Sequence, residues 1–319
     1  MRYKVVQTDH VYPDLDLETR SFGGAGAEFV CLNSTDEDVI AEGVKGASCI
    51  ITAYAVITKR IMDSAGDGLR SVSKTGIGVN NIDIEAATAR GVKVLNVPDY
   101  CIEEVSDHAV ALTMSLLRFI PYLNARVKGG DWSTGDATAM ERLHGKTIGM
   151  LGYGRIARLF HDKMKPWGVE ALAYDPFLTE EQIAECGARK AEFEELLKAS
   201  DIVSLHLPLT KENEHMIDAK ALSLMKPTAF IINCSRGPLI DEKALAEALQ
   251  AGTIAGAGLD VVETDSYDSG NPIFSCGNAI ITPHIAFHSL QATQELREKV
   301  IADVLRVLAG EEPKNQVNK

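Results

Sequence analysis

The sequence predicts an α/β protein made of two doubly wound domains, each with a mainly parallel sheet. Short apolar runs typical of buried strands alternate with amphipathic, helix-like segments, and 319 residues exceed what one hydrophobic core usually serves. The predicted strands are Val5–Val6, Ser48–Thr52, Ser71–Lys74, Val92–Leu95, Thr147–Leu151, Ala171–Tyr174, Asp201–Leu205, Ala229–Asn233, Gly256–Val262 and Ala279–Thr282.

A glycine-rich turn follows the predicted strand at 147–151. It reads Gly152-Tyr-Gly154-Arg-Ile-Ala157, opens a helical pattern, and is followed by Asp175 at the end of the next strand. Gly152 suits the tight turn, Gly154 lets the backbone approach a pyrophosphate, and the small Ala157 lets the helix pack on the strand. Asp175 is placed to accept hydrogen bonds from a ribose 2′-hydroxyl. The pattern predicts a dinucleotide site at this helix N-terminus.

The position of this turn also predicts the domain organisation. It begins near residue 147, so the preceding residues, which have their own strand and helix alternation, need a separate sheet. A long helix pattern over 98–118, with Asp99 as its expected N-cap and Pro121 just past its end, is expected to join the domains. The polar tail at 311–319 is expected to be frayed.

Composition narrows the class of partner. The formal net charge of −13 argues against a nucleic-acid surface or an anionic membrane. The six cysteines are scattered and are interpreted as reduced thiols, and no metal-ligand spacing is present in the sequence. The chain opens directly into a strand pattern and no apolar run reaches transmembrane length, so a cytoplasmic protein is expected.

Polar residues that suit one reaction follow three later predicted strands. The segments are Asn233–Pro238, Gly258–Asp265 and Ile281–Phe287. The carboxyl ends of parallel strands form the ligand crevice of an open sheet, so these segments are expected at the same edge as the dinucleotide. His284 suits general acid–base catalysis, and Asp265 is the candidate carboxylate that orients its ring. Arg236 offers a planar fork for a substrate carboxylate or carbonyl oxygen, so the set indicates hydride transfer.

Each of these residues also has an ordinary structural interpretation. A single Arg after a strand is usually a surface ion pair, and a His after Pro is often only a loop residue. The combination with the glycine-rich turn favours the catalytic interpretation. Among the other histidines, His108 and His215 are expected to be structural.

Several blocks, in order, resemble the D-isomer-specific 2-hydroxyacid dehydrogenase family over nearly the whole chain. They are Thr75–Asp83, Asn96–Tyr100, Gly145–Ala157, Leu205–Thr210, Asn233–Gly237, Gly258–Asp265 and Thr282–His284. The resemblance implies NAD-dependent hydride transfer at C2 of a D-2-hydroxy acid or 2-oxo acid, with Arg236, Asp265 and His284 as the catalytic set. It further implies a substrate-binding domain of residues 1–99 plus 288–319, a Rossmann domain of residues 100–287 that binds NAD, an active site in the cleft between them, and a homodimer.

The resemblance also implies which residues surround each ligand. Around the cofactor they are Gly152, Gly154, Arg155, Ile156, Asp175, Leu207, Pro208, Cys234, Arg236, Asp260 and His284. Around the substrate they are Ile77, Gly78, Tyr100, Arg236 and Phe287. Tyr54 is a further candidate because its bulk, like that of Tyr100 and Phe287, suits an apolar side-chain site.

One departure from the family pattern concerns the partner of His284. The family commonly has Glu where this chain has Asp265, and often Pro where it has Ser266. Because Asp is one methylene shorter, either the backbone is shifted inward or the pairing is looser. Glu263 is an alternative partner that ranks below Asp265.

The sequence also favours one of the two nicotinamide cofactors and leaves two alternative functions open. Asp175 would repel a 2′-phosphate and no Arg follows it, so NAD is favoured over NADP. A formate- or phosphite-type dehydrogenase is one alternative, although formate dehydrogenases pair the His with Gln, which is absent at position 265. An NAD(H)-sensing, corepressor-like binding protein is the other, because such relatives keep the same triad.

Overall fold

A computed structural model describes residues 3–134 and 140–318. The chain divides into two compact units, one formed by Met1–Tyr100 with Ser289–Lys319 and the other by Cys101–His288. Each unit has one parallel sheet flanked by helices, which confirms the predicted fold class.

The first unit has a five-stranded sheet in the order β2-β1-β3-β4-β5. Its strands are β1 Lys4–Gln7, β2 Glu28–Cys31, β3 Cys49–Thr52, β4 Ser71–Lys74 and β5 Lys93–Leu95. Its helices are α1 Asp16–Gly24, α2 Glu37–Gly43, α3 Lys59–Ala65, α4 Ile84–Ala89 and α12 Leu290–Ala309. The central strand β3 is fully buried, whereas β2 lies at the edge and is half-exposed. The sequence prediction missed β2, because a half-exposed edge strand carries little apolar signal.

The second unit has a seven-stranded sheet in the order β12-β11-β10-β9-β6-β7-β8. Its strands are β6 Thr147–Leu151, β7 Glu170–Tyr174, β8 Arg189–Lys190, β9 Ile202–Leu205, β10 Phe230–Asn233, β11 Gly256–Leu259 and β12 Ala279–Ile281. Its helices are α5 Ile102–Leu117, α6 Ile120–Lys128, α7 Arg155–Met164, α8 Glu180–Ala184, α9 Phe193–Ala199, α10 Ala219–Leu224 and α11 Glu242–Ala251. Short 3₁₀ turns lie at Lys165–Trp167, Gly237–Leu239 and Pro272–Ser275.

The strand order reverses between β6 and β9. Chain direction runs from β6 to β7 and β8 on one side, then returns to β9 and continues to β12 on the other. In a doubly wound sheet, the loops that leave the two strands at this point diverge and form a ligand crevice. The loop after β6 is the glycine-rich turn, so the topology places it at the expected binding edge.

The start of α5 differs from its prediction. The helix begins at Ile102 with Cys101 as N-cap, and Asp99 instead accepts a hydrogen bond from Lys299 at 2.7 Å. Pro121 follows the end of α5 as expected, and it also lies in the first turn of α6, where a missing N–H costs nothing.

The polar tail is ordered, which corrects the expectation of fraying. Gln316 pairs antiparallel with Leu95 of β5, and the buried Asn318 accepts a hydrogen bond from the Val94 N–H at 2.7 Å. The side chain of Asn318 also donates to the Val92 carbonyl oxygen at 2.9 Å. The tail thus satisfies backbone groups at the edge of the sheet, up to residue 318.

Candidate active site

The glycine-rich turn has the geometry that a dinucleotide requires. Gly152 has a φ of +83°, and a Cβ there would lie 2.8 Å from the His206 carbonyl oxygen, so only glycine fits. Gly154, by contrast, has no neighbouring atom within 4 Å of a Cβ position, which leaves its backbone open to a ligand. Ala157, in the first turn of α7, is fully buried.

The N-terminus of α7 has room for an anion. Its N-cap, Gly154, makes no side-chain cap, and the first helical residues, Arg155 and Ile156, are exposed and half-buried respectively. The first N–H groups of a helix have no partner inside the helix and carry the positive end of its dipole. These residues fit a pyrophosphate group.

Asp175 follows β7 directly and is tied to the glycine-rich turn. Its carboxylate accepts hydrogen bonds from the Tyr153 N–H and the Phe177 N–H, both at 2.9 Å. A carboxylate oxygen has two acceptor positions, so Asp175 keeps acceptor capacity for a hydroxyl group. The next residues, Pro176 and Phe177, supply no positive charge.

Arg236 lies on a loop that is fixed by the buried Asn233. The Asn233 side chain donates to the Arg236 carbonyl oxygen and accepts from the Ser235 N–H, both at 2.9 Å. Ser235 donates from its hydroxyl to the Leu205 carbonyl oxygen at 2.8 Å. A Cβ on Gly237 would lie 2.1 Å from the Val262 carbonyl carbon, so this loop packs directly on the segment after β11. The guanidinium of Arg236 donates to the Ser235 carbonyl oxygen at 2.6 Å and is half-buried.

The other residues expected near the cofactor lie on neighbouring loops. Leu207 is half-buried after β9, and Pro208 is exposed, with its carbonyl oxygen held by Asn213 at 2.8 Å. Cys234 is half-buried, and burial together with the Asp260 charge raises the pKa of its thiol, which keeps it neutral.

His284 and Asp265 form a hydrogen-bonded pair. His284 Nδ1 and Asp265 Oδ2 are 3.0 Å apart, with 34% of the His side chain and 50% of the Asp side chain exposed. An ionised carboxylate only accepts hydrogen bonds, so Nδ1 carries the proton and Nε2 is left as the basic nitrogen. The ring of Phe287 lies edge-on to that of His284, with centroids 6.2 Å apart.

Glu263, the alternative partner, faces other groups. Its carboxylate accepts from the Glu242 N–H at 3.3 Å and lies 3.0 Å from His215 Nε2, while its own N–H donates to the Glu242 carboxylate. The geometry therefore puts Asp265, and not Glu263, beside the ring of His284.

Asp260 is buried, and its carboxylate makes several hydrogen bonds with other groups of the protein. It accepts hydrogen bonds from the Thr282 hydroxyl at 2.6 Å, from the Ile285 N–H at 3.0 Å and from the Ala286 N–H at 2.8 Å. The Asp260 carbonyl oxygen accepts from the His284 N–H at 2.7 Å. Asp260 thus holds both sides of the loop that carries His284.

The remaining predicted substrate residues belong to the first unit. The Ile77 carbonyl oxygen, after β4, accepts from Asn96 Nδ2 at 2.7 Å, and the neighbouring Gly78 is half-buried. Tyr100 is buried, whereas Tyr54, after β3, is exposed. These four lie on loops at one end of the five-stranded sheet or just beyond it.

A residue that the sequence prediction missed fixes the loop of Tyr54. The buried Asp9 follows β1, and its carboxylate accepts from the N–H groups of Ala53, Tyr54 and Ala55 at 3.1, 2.6 and 3.3 Å. The strand order reverses between β1 and β3, so Asp9 lies at the switch point of the first sheet. A carboxylate directly after a short buried strand was the signal available in the sequence.

Two parallel-sheet units, one with a dinucleotide turn at its switch point and an Arg, Asp and His on later loops, define an NAD-dependent dehydrogenase. Comparisons with known proteins agree. Residues 110–286 match the family model described as D-isomer specific 2-hydroxyacid dehydrogenase, NAD binding domain. The chain belongs to this family of NAD-dependent enzymes.

Individual relatives cover most of the chain. Glyoxylate reductase of Thermococcus litoralis is 37% identical over 88% of this chain and 86% of its own length. D-3-phosphoglycerate dehydrogenase of Methanocaldococcus jannaschii is 34% identical over 99% of this chain, which spans only 59% of that relative. Among solved structures, D-lactate dehydrogenase from Aquifex aeolicus, complexed with NAD and lactic acid, superposes with a TM-score of 0.88 at 28% identity and covers 96% of both chains.

Within the described parts of the chain, before residue 135 and after residue 139, no helix combines the length and apolarity needed to cross a membrane.

Proposed function

We propose that this protein transfers a hydride between NAD and C2 of a D-2-hydroxy acid or the corresponding 2-oxo acid, with His284 as the acid–base group. The observation that carries the proposal is the 3.0 Å pair of His284 Nδ1 and Asp265 Oδ2, which leaves Nε2 as the nitrogen that exchanges a proton. Bound NAD supplies the hydride acceptor in oxidation, and NADH supplies the donor in reduction.

In oxidation His284 Nε2 takes the proton of the substrate hydroxyl. The imidazolium that forms is stabilised by the Asp265 carboxylate, which also holds the ring in one orientation. In reduction the same nitrogen returns the proton to the substrate oxygen, so one group serves both directions.

Arg236 has a different task. Its guanidinium fork binds the substrate carboxylate or carbonyl oxygen and balances negative charge that develops on oxygen. The loop of Asn233 holds the backbone of Arg236, so little ordering is needed when substrate arrives. We assign the backbone of Ile77 and Gly78 to the substrate carboxylate, and Tyr100 and Phe287 to its side chain.

Assigning the cofactor residues follows the same reasoning. The N-terminus of α7, with Gly152, Gly154, Arg155 and Ile156, is proposed to bind the pyrophosphate. Asp175 is proposed to bind the adenosine ribose. The proposed neighbours of the adenosine are Leu207 and Pro208, and those of the nicotinamide are Cys234, Arg236, Asp260 and His284.

The decisive experiment follows NADH absorbance with 2-oxo acids of graded size, beginning with glyoxylate and pyruvate and including hydroxypyruvate and its phosphate ester. Wild-type protein should oxidise NADH with at least one of them, His284→Gln should lose about 10²- to 10⁴-fold in kcat/KM, and the exposed-histidine control His144→Gln should not. Tight NADH binding without turnover of any acid would favour a sensing function instead.

A homodimer is proposed from the exposed face of α6. The helix has no buried residue, and it exposes Ile120 and Val127 by 53% and 44%, with Trp132 exposed by 84% just beyond its end. Exposed apolar patches of this kind mark protein interfaces, and a second copy of the chain is the proposed occupant. Sedimentation should show a dimer that Val127→Glu weakens, whereas Val39→Glu, on α2, leaves it unchanged.

The cytoplasm is the proposed location. All six cysteines are unpaired thiols, which suits a reducing compartment. Fractionation of the native host, with immunodetection of the protein, tests this assignment.

A further inference from the structure

His108 of α5 contacts the network that holds the loop of His284. Its Nε2 lies 2.9 Å from the Thr282 hydroxyl oxygen and 3.6 Å from Asp260 Oδ1. The sequence prediction treated this histidine as structural, and the proposed reaction does not use it.

The number of protons on each group determines the direction of the hydrogen bonds between His108, Thr282 and Asp260. The Thr282 hydroxyl has one proton, and it donates that proton to Asp260 Oδ1 at 2.6 Å, because a carboxylate can only accept. The Thr282 oxygen is then an acceptor, so His108 Nε2 must carry a proton and donate. The chain of bonds therefore runs from His108 through Thr282 to Asp260.

This series of hydrogen bonds ends at the backbone next to His284. Asp260 accepts from the Ile285 N–H at 3.0 Å and the Ala286 N–H at 2.8 Å, the two residues that follow His284. His284 itself has a left-handed φ of 50°, which is uncommon for a non-glycine residue and is maintained by the surrounding structure. The carboxylate of Asp260 holds the two amides that directly follow this residue.

Close helix–strand packing brings His108 to this point. A Cβ on Gly258 of β11 would lie 3.1 Å from Leu112 Cβ, so glycine there allows α5 to approach the strand. Leu112 is one turn after His108 on the same helix face, and Asp260 follows β11 immediately. The packing of α5 thus sets the distance between His108 and Asp260.

We propose that His108 is a positioning residue for the acid–base histidine. Its Nε2–H orients the Thr282 hydroxyl toward Asp260, and Asp260 then holds the Ile285 and Ala286 amides that set the backbone of His284. The inference rests on the proposed function for its catalytic consequence, while the hydrogen-bond chain is testable without turnover.

The kinetic test compares variants that keep or remove a donor. Thr282→Val and His108→Leu should each lower kcat/KM for the best 2-oxo acid by about 10- to 100-fold, mainly through kcat, since a displaced reacting group costs this much. Thr282→Ser and His108→Gln, which retain a hydroxyl and an N–H donor, should recover most of the loss. The pH profile of kcat/KM should shift in Thr282→Val and His108→Leu and stay unchanged in Thr282→Ser and His108→Gln. A purely structural role would instead lower the stability of all four variants and leave their pH profiles unchanged. Equal kcat in Thr282→Val and wild type would overturn the proposal.

The structural test uses magnetic resonance and hydrogen exchange on the intact protein. His108 should show the Nε2–H tautomer, and the Ile285 and Ala286 amides should exchange faster in Thr282→Val than in Thr282→Ser. A wild-type His108 protonated only at Nδ1, or unchanged amide exchange, would refute the hydrogen-bond chain. Absence of turnover in the wild type would instead contradict the proposed function and leave these two readouts to decide the inference about the loop.

Discussion

His284 and Asp265 meet at 3.0 Å while both have a left-handed backbone, with φ values of 50° and 46°. Asp, Asn and His are the non-glycine residues most often found in this conformation. The Asp265 N–H also donates to the Val262 carbonyl oxygen at 3.1 Å, which closes a turn beneath the carboxylate. A short acidic side chain on this turn reaches the ring, so the pairing with His284 does not require the extra methylene of Glu.

The charge and the length of residue 265 can be tested separately. Asp265→Asn removes the charge that stabilises the imidazolium and should lower kcat/KM by about 10²- to 10⁴-fold. In the reductive direction its activity should also decline at a lower pH than in the wild type, because the protonated ring is less stabilised. Asp265→Glu keeps the charge and should lose less. Equal losses in both variants, measured as pH–rate profiles, would mean that geometry and not charge is decisive.

The two glycines of the dinucleotide turn should differ in the property they control. Gly152→Ala places a Cβ 2.8 Å from a carbonyl oxygen at a φ of +83°, so it should destabilise the fold by about 1–3 kcal/mol as well as weaken NADH binding. Gly154→Ala meets no protein atom and should leave the unfolding midpoint unchanged while weakening NADH binding. Thermal unfolding and NADH fluorescence titration measure the two effects. Unimpaired NADH binding in Gly154→Ala would argue against a pyrophosphate at this turn.

Asp175 should determine cofactor selectivity. Asp175→Asn keeps an acceptor for the Tyr153 or Phe177 N–H but removes the charge that repels a 2′-phosphate. The ratio of kcat/KM with NADH to that with NADPH should fall by about tenfold or more, as loss of about 1.4 kcal/mol of discrimination implies. Exposed Glu180→Gln, near the start of α8, is the control. A constant ratio would remove Asp175 from the ribose site.

Stability should fall as the pH is lowered from about 6.5, because the buried His161 and the half-buried His206 are held in the neutral form. Burial lowers the pKa of His161 to about 4 and that of His206 to about 3. Unfolded histidines take up protons near pH ~6.5, whereas the folded protein resists until much lower pH, so stability is complete above pH ~6.5 and is lost below it. Denaturant unfolding between pH 7 and 5 should show this slope, and His161→Gln should reduce it. A flat profile in the wild type would contradict the buried neutral state.

The C-terminal helix should depend on one buried ion pair. Arg297 of α12 donates to both carboxylate oxygens of Glu18 on α1 at 2.8 and 2.7 Å, with 8% and 4% of the side chains exposed. Glu18→Gln should cost about 3–5 kcal/mol of unfolding free energy, because it leaves the buried Arg297 with only the exposed Asp14, 3.4 Å away, as a charged partner. Glu42→Gln, in an exposed pair with Lys45, should cost less than about 1 kcal/mol. Similar urea midpoints for both variants would show that the buried pair is not needed.

Much of the fold and the candidate site was predictable from local patterns. Apolar runs predicted both sheets, because buried parallel strands are built from consecutive apolar residues. The glycine spacing predicted the turn at Gly152, because a positive φ favours glycine. The edge strand β2 and the ordered tail at Asn318 escaped prediction. Both segments are held by residues distant in the chain, such as Val94 for Asn318. A local sequence pattern contains no information about such distant partners.

The sequence by itself determined the α/β class, the dinucleotide turn and the choice of candidate catalytic residues, since each depends on residue type and spacing along a short segment. Only the tertiary structure decided that Asp265, and not Glu263, lies beside His284, because backbone conformation and not sequence separation sets which carboxylate reaches the ring. It also decided that Asp9, Asn233 and Asp260 use their polar groups to hold loops. Those contacts form when separate strands end at one sheet edge, which is a property of the folded chain.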